Sequence, residues 1–402
     1  MKKQIFSTGV LCVLLAAAGC REQAAPAAVS IPNIQKSEVT AAALPEAIPS
    51  APEPEPAVSP TVHIFAAGDN LIHEAIYLQA QSRSLDGGYD FDYAFQYVSP
   101  LVEPAELAVL NQETPIANIY PPSTYPQFNS PDALGEKVID MGFNAISHAN
   151  NHILDKGEKG LLSTLDFWDS HRILHFGAYR DQRALDTIPL MEINGISFAF
   201  VGFMEHTNSL TLSLDAPSRL VYTAQRAQMQ KMIEEADTLA DAVIVSVHWG
   251  VEITNTVTAE QKALARDFTD WGADLILGTQ PHTVQTMEYL DKPGGGQSFV
   301  AYSLGNFISA QVSSPLAMLG AALDLDAVLS EETGEVVFTN ITAIPLVTHY
   351  EADLANVTVY PYAIYTEELA DAHGIRANGD FSFAFADEIF RENIPEQFWP
   401  VE

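Results

Sequence analysis

The chain has 402 residues, 47% of them hydrophobic and 9% aromatic, enough to bury a sizeable core in one large domain or two. Its 52 Asp and Glu outweigh 19 Lys and Arg, for a formal net charge of −33. That balance argues against nucleic acid as a partner, because affinity for it rests on cationic side chains neutralising phosphates, and a polyanionic substrate needs a metal ion or a local basic patch in order to approach.

Lys2 and Lys3 precede an apolar run from Ile5 to Ala18, closed by Gly19-Cys20. The run is too short for a spanning helix, which needs ~20 apolar residues. It reads as a secretory leader over residues 1–19. The ending "LLAAAGC" resembles a bacterial lipobox, with Ala17 where leucine is usual. It implies cleavage before Cys20 and lipid on that thiol; ordinary secretion is the alternative. Cys12 lies in the leader, so the remaining chain has no thiol for a disulfide or a metal, and any ion must be held by nitrogen and oxygen. Residues 20–60 then read as a lipidated cysteine and a disordered tether rich in Ala, Pro and Glu, since proline removes backbone donors and such tracts bury little. The expectation is an exported protein, lipid-anchored to a bacterial membrane and facing outside the cytoplasm.

From Thr61 the pattern changes. "VHIFAAGD" (62–69) and "ELAVLNQE" (106–113) read as buried strands ending in polar loops. "SPDALGEKVIDMG" (130–142) is a helix with Ser130 as cap, Pro131 at the first position and Gly142 past the end. "FNAIS" is a strand, followed at once by Asn150, Asn151 and His152. Asp155 and Glu158 have the spacing of a capping box for a helix carrying Leu161, Leu165 and Trp168. "PLMEINGISFAFVGF" is two strands about Asn194-Gly195, a type I′ hairpin signal. "AQRAQMQKMIEEADTLA" is a helix, "DAVIVSVHWG" a strand, and Thr258 to Trp271 a helix opened by a Thr258–Gln261 capping box. "ADLILG", "TMEYL" and "SFVAYSLGNF" continue the strands, and after Ala317 strand-like runs meet at "EETGE". The alternating first half predicts an α/β fold with parallel strands. Residues 61–350 read as the domain, and 351–402 as an extension packing on its core.

Polar residues gather after the carboxyl ends of strands, where α/β proteins bind ligands. Asp69 follows the first strand, and Asn111 and Glu113 the second. Asn150, Asn151 and His152 follow the third, His248 follows "VIVSV" and His282 follows "LILG". This set suits Zn, Mn, Fe or Mg rather than copper or an iron–sulfur cluster. Two such ions ~3.5–4 Å apart can clamp a phosphoryl centre and activate water. Each residue alone has a local reading: a hydrogen-bonded histidine, a helix-capping Asp69, a turn at Asn150. Coincidence across five strand ends favours a shared site.

The segments "AAGDNLI", "NQETPI", "ANNHILDKGEKGLLSTL", "SVHWGVE", "GTQPHTVQ" and "YSLGNFI" occur in the order found in CapA proteins of poly-γ-glutamate capsule synthesis. From about residue 62 to 310 the chain resembles that family and, through it, the calcineurin-like metallophosphoesterase superfamily. The resemblance implies a four-layer α/β/β/α sandwich with the site where the two sheets meet. It implies one or two divalent ions held by Asp69, Glu113, Asn151, His248 and His282, with His152 as general acid and Asp155 orienting it. Asn111, Asn150, Glu252, Gln280 and Asn306 would support the site.

Two departures stand out. The family has histidine where this chain has Gln280, and an amide oxygen binds metal less well than imidazole, which bears on occupancy. The first strand lacks the Asp-x-His of many phosphoesterases; His73 is either a substitute or a surface helix residue. Trp249 is either a flat wall for substrate or a core residue. The function implied is a surface lipoprotein acting in synthesis, export or anchoring of poly-γ-glutamate or a related anionic polymer, with the polymer or its synthesis and export machinery as partner. The alternative is a metal-dependent hydrolase of phosphoester or γ-glutamyl amide bonds, in which His152 protonates the leaving group.

Overall fold

The computed structural model describes residues 59–400. The leader, Cys20 and all but the end of the tether lie outside the described residues. Two large sheets form the body of the fold. In the eight-stranded sheet Thr61–Leu71, Leu107–Asn111, Ala145–Ser147 and Leu174–Phe176 run parallel as neighbours. The antiparallel pair Leu319–Leu329 and Val336–His349 extends the sheet on the other side, and Asn306–Ser309 lies parallel to the far end of Thr61–Leu71. The six-stranded sheet has the order Met287–Asp291, Gln297–Ala301, Leu275–Thr279, Ala242–His248, Ile196–Met204, Leu190–Ile193.

Period-two alternation shows how the layers stack. In the six-stranded sheet Phe198, Phe200, Ile244, Leu275, Leu277 and Phe299 join the core shared with the other sheet. Their alternates Ala199, Val201, Val243, Val245, Ile276 and Val300 face Met229, Ile233, Leu264 and Phe268 of the helices Arg226–Leu239 and Ala259–Asp270. Phe176 and Phe200 meet between the sheets, ring centroids 5.4 Å apart. Helices Glu74–Arg83, Asp132–Asp140 and Gly157–His171 bury Ile76, Leu134, Val138 and Trp168 against the eight-stranded sheet. The architecture is therefore the four-layer α/β/β/α sandwich. Beyond residue 350, Thr358–Pro361 pairs with Val336–His349 as an edge strand, and Phe398 packs on Phe299 at 5.2 Å. No described helix is long and apolar enough to cross a membrane.

Two local signals form as the sequence predicts. Asn194 and Gly195 both take positive φ, 51° and 82°, as a type I′ turn requires, and the Thr258–Gln261 capping box forms in both directions. Two caps differ from the sequence reading. The helix Asp132–Asp140 begins after Pro131, and the Ser130 hydroxyl pairs with Thr114 Oγ1 at 2.8 Å instead of capping. The Asp155–Glu158 capping box does not form: Lys156 precedes Gly157–His171 without a side-chain cap. Glu158 Oε1 accepts the Ser218 N–H at 3.2 Å, and Asp155 turns to His152. In both places a longer-range partner outcompetes the local cap.

His349 and His373 lie 4.9 Å apart, centroid to centroid, under the chain's last third. His373 Nε2 donates to the Thr348 carbonyl at 2.9 Å and its Nδ1 accepts the Ile375 N–H at 3.1 Å, so the neutral ring is satisfied on both sides. Burial, with His349 beside it, pushes His373 down to about 3, and burial pushes His349 down to about 4. An unfolded histidine titrates near ~6.5. As pH falls below that value the unfolded chain takes up protons that the folded chain refuses, so stability drops until the folded rings also protonate. Chemical unfolding measured from pH 7 to pH 5 should show falling stability, and His373→Gln should make the fall shallower whatever its stability at pH 7. An unchanged slope would refute the assignment.

Candidate metal centre

The site begins with a glycine. The Thr61–Leu71 strand breaks register between Ala67 and Asp69, which turns Asp69 to the sheet edge beside both Asn111 and Asn306. Asp69 N–H donates to the Gly305 carbonyl at 2.9 Å. A Cβ on Gly68 would lie 2.0 Å from that carbonyl oxygen, so only glycine permits this approach. On the other sheet Thr279 and His248 sit in register at the ends of adjacent parallel strands. The carboxyl edges of the two sheets thus deliver their polar residues to one place.

Asp69, Glu113 and His282 form a buried trio whose ligand atoms all lie within 4.8 Å of one another. His282 Nδ1 is 3.0 Å from Asp69 Oδ2 and 3.2 Å from Asn306 Oδ1, and its Nε2 faces Glu113 Oε1 at 3.8 Å. His248 Nε2 lies 3.6 Å from the same Glu113 oxygen and 3.1 Å from Asn151 Oδ1. All five proposed ligands, Asp69, Glu113, Asn151, His248 and His282, are thus brought together. Both oxygens of Glu113 are buried without a hydrogen-bond partner among the described residues. Burial and the Asp69 charge push the Glu113 carboxyl well up, and burial pushes His248 down to about 3. For His282, burial opposes the charged ring but Glu113 and Asp69 outweigh it and raise it to about 10. Burial likewise opposes Asp69 ionisation, and the His282 and His248 rings with the Asn111 amide overcome it, so Asp69 is lowered. The donor set of carboxylates, imidazoles and an amide fits a hard or borderline divalent cation, and Glu113, without a donor among the described residues, is the acceptor such an ion would take.

The neighbouring residues divide by what they touch. Asn111 Nδ2 donates to Asp69 Oδ1 at 2.7 Å and fixes that carboxylate. Asn150 is the turn residue: it donates to Asn111 and to the Gln112 carbonyl and accepts the His152 N–H. His152 Nδ1 meets Asp155 Oδ2 at 2.7 Å, and Phe128 N–H donates to that same oxygen. His152 Nε2 then faces Glu113 Oε1 at 4.0 Å. Asn306 bonds His282 through its side chain, not through backbone packing alone. Gln280 N–H donates to Asp69 Oδ2 at 3.3 Å and its Nε2 to Glu252 Oε1 at 3.1 Å. His73 precedes the helix Glu74–Arg83 as its N-cap residue, half-buried: its Nδ1 accepts the Ala310 N–H at 3.3 Å, it packs edge-on against Phe128, and it stands outside the ligand trio. Trp249 is core, stacked on Phe268 and donating to the Tyr302 carbonyl, so it forms no substrate wall.

Sequence reasoning passed over one strand end. After Ile196–Met204 comes "EHTN", and Asn208 there reaches both Asn151 and His152 at 3.4 Å. Polar residues following a strand, with an asparagine able to take the φ of 49° seen at Asn208, were the available signal. Thr279, whose hydroxyl lies 2.8 Å from His248 Nδ1, was hidden inside a strand end.

Residues 63–311 match the family model for the bacterial capsule synthesis protein PGA_cap. The chain is 32% identical over 228 residues to the PGA biosynthesis protein CapA of Bacillus subtilis, covering 55% of this chain and 57% of the relative. It is 28% identical over 239 residues to the capsule biosynthesis protein CapA of Bacillus anthracis, covering 56% and 55%. The chain thus spans little more than half the length of these relatives. Among solved structures, the NAD nucleotidase of Haemophilus influenzae aligns with TM-score 0.44 and 13% identity, over 84% of this chain and 60% of that one. A putative 5′-nucleotidase of Staphylococcus aureus aligns with TM-score 0.41 and 11% identity, over 79% and 57%. At that level of agreement neither alignment carries weight for the chemistry. The matched segment spans more than half of the chain and contains every residue of the candidate metal centre, and the chain belongs to the bacterial capsule synthesis protein PGA_cap family.

Proposed function

We propose that this chain acts in building an extracellular capsule polymer, poly-γ-glutamate or a related polyanion, and that its metal centre hydrolyses a bond of that polymer or its precursor. The observation that carries the hydrolytic reading is the Glu113 carboxylate, orphaned in a cluster of ligands, with a histidine–carboxylate pair beside it. Asp69, Glu113 and His282 would hold the ion, with His248 and Asn151 next to them. Bound there, a divalent ion supplies positive charge that acidifies water and steadies negative charge on a reacting oxygen.

The chain's own residues supply the rest. Asn111 keeps the Asp69 carboxylate in one orientation. Asp155 holds His152 by Nδ1, so Nε2 faces the centre and can give a proton to a leaving group. Asn208 contacts both Asn151 and His152, each at 3.4 Å. The bond class that fits is a phosphoester or a γ-glutamyl amide, since each gathers charge on oxygen and each releases a group that needs a proton. Full-length protein loaded with Mn²⁺ or Zn²⁺ should cleave a model substrate of one class. His152→Ala should lower kcat about 10²–10⁴-fold without changing metal content. Activity equal in wild type and His152→Ala, or none with either class, would contradict the hydrolytic reading.

The same proposal places the protein outside the cytoplasm, tethered through lipid on Cys20. The lipobox-like "LLAAAGC" and the proline-rich stretch after it support this. Fractionation of producing cells should find wild type with membranes and Cys20→Ser released. Retention of Cys20→Ser on the membrane would rule the anchor out.

A further inference from the structure

We infer that Asn208 is a positioning residue for the metal centre: its side-chain oxygen holds the Asn151 amide with the nitrogen outward and the oxygen toward the ligand cluster. The inference rests on the metal centre proposed above and concerns a residue outside the ligand set. A primary amide has two ends of nearly equal size, of which only the oxygen can ligate a cation, so its neighbours must tell the ends apart. Three hydrogen bonds do so in sequence. His248 Nδ1 lies 2.8 Å from the Thr279 hydroxyl, and with that nitrogen accepting, the hydrogen of the neutral ring sits on Nε2. Nε2 then donates to Asn151 Oδ1 at 3.1 Å, and Asn151 Nδ2 donates to Asn208 Oδ1 at 3.4 Å.

A histidine nitrogen that ligates a cation carries no hydrogen, so the donor that holds Asn151 Oδ1 is lost once His248 Nε2 is a ligand. Among the described residues, Asn208 Oδ1 is then the acceptor that still selects the nitrogen end of Asn151. The other end of the Asn208 amide makes no competing bond: Nδ2 lies 3.4 Å from His152 Nδ1, whose hydrogen goes to Asp155 Oδ2 at 2.7 Å. The loop that carries Asn208 is fixed to the same strand end as His248. Glu205 N–H donates to the His248 carbonyl at 2.9 Å, and Gly250 N–H donates to Glu205 Oε2 at 2.8 Å. Asn208 and Ser209 both take left-handed φ, 49° and 63°, a pair of conformations that persists only where the surroundings hold it. Asn208 is exposed, so core packing does not account for its place.

The test is a titration of full-length protein, stripped with chelator, with Mn²⁺ followed by its EPR signal, in wild type, Asn208→Gly and Asn208→Asp. Glycine and aspartate both tolerate the left-handed backbone, but only aspartate keeps an oxygen for Asn151 Nδ2. Asn208→Gly should weaken Mn²⁺ binding about tenfold or more, the usual cost of removing the outer partner of a metal ligand. Asn208→Asp should bind at least as tightly as wild type. If Asn208→Gly does not fold, as judged by its thermal transition without metal, Asn208→Ala takes its place in the comparison. Wild-type affinity in the glycine variant, or equal weakening in both variants, would overturn this inference; with binding lost in Asp69→Ala, the metal centre would still stand. No binding of Mn²⁺ by wild type would remove the centre and the inference together.

Discussion

Glu113 lies fully buried with neither carboxylate oxygen meeting a donor among the described residues, and Asp69, equally buried, holds its ligand atom within 4.8 Å of it. At about that separation and an effective dielectric of about 20, two negative charges repel by roughly 3–4 kcal/mol. Desolvation adds several kcal/mol for each unpaired ion. His282 offsets part of this for Asp69 but leaves Glu113 3.8 Å from the nearer ring nitrogen. That conflict pushes the Glu113 carboxyl well above its ordinary value, and a cation seated beside it would relieve both the repulsion and the lost solvation.

The arrangement depends on two sheets ending at one place. Gly68 lets the first strand pass close to the Gly305 carbonyl and present Asp69. The second sheet brings His248 and, just past its own edge, Gln280 and His282, the last two with positive φ. A helix-side loop brings Asn151, His152 and Asp155. Each contributor is anchored in a strand end or in a hydrogen-bonded turn, so the scaffold positions the candidate ligands. The division of labour is also visible: Asn111, Thr279, Asn306 and Asp155 orient, while Glu113, His248, His282 and His152 face inward.

Much of this was legible in the sequence because strand ends are strongly marked. Asp69, Glu113, His248 and His282 each follow an apolar run, and parallel topology puts such ends on one edge. Hairpin and capping-box signals at Asn194-Gly195 and Thr258–Gln261 form because the groups that make them lie within three residues of one another along the chain. The caps at Ser130 and at Asp155–Glu158 were misread because partners far along the chain, Thr114 for Ser130 and Phe128 and Ser218 for the acidic pair, compete for the same side chains. His73 and Trp249 were ambiguous for a related reason: whether an aromatic or imidazole ring lines a site or fills a core depends on what packs against it, and no local pattern carries that. Asn208 escaped notice because its loop follows a strand whose own end, at Met204, is apolar.

A cation seated at Glu113 is what the proposed chemistry requires. Crystals of the full-length protein, grown with excess Mn²⁺ and measured at the manganese absorption edge, test this most directly. An anomalous peak is expected within bonding distance of Glu113, Asp69 and His282. A map with the three side chains ordered, the ion in excess and no peak among them would contradict it, and would leave Glu113 as a protonated acid in a site that binds no metal.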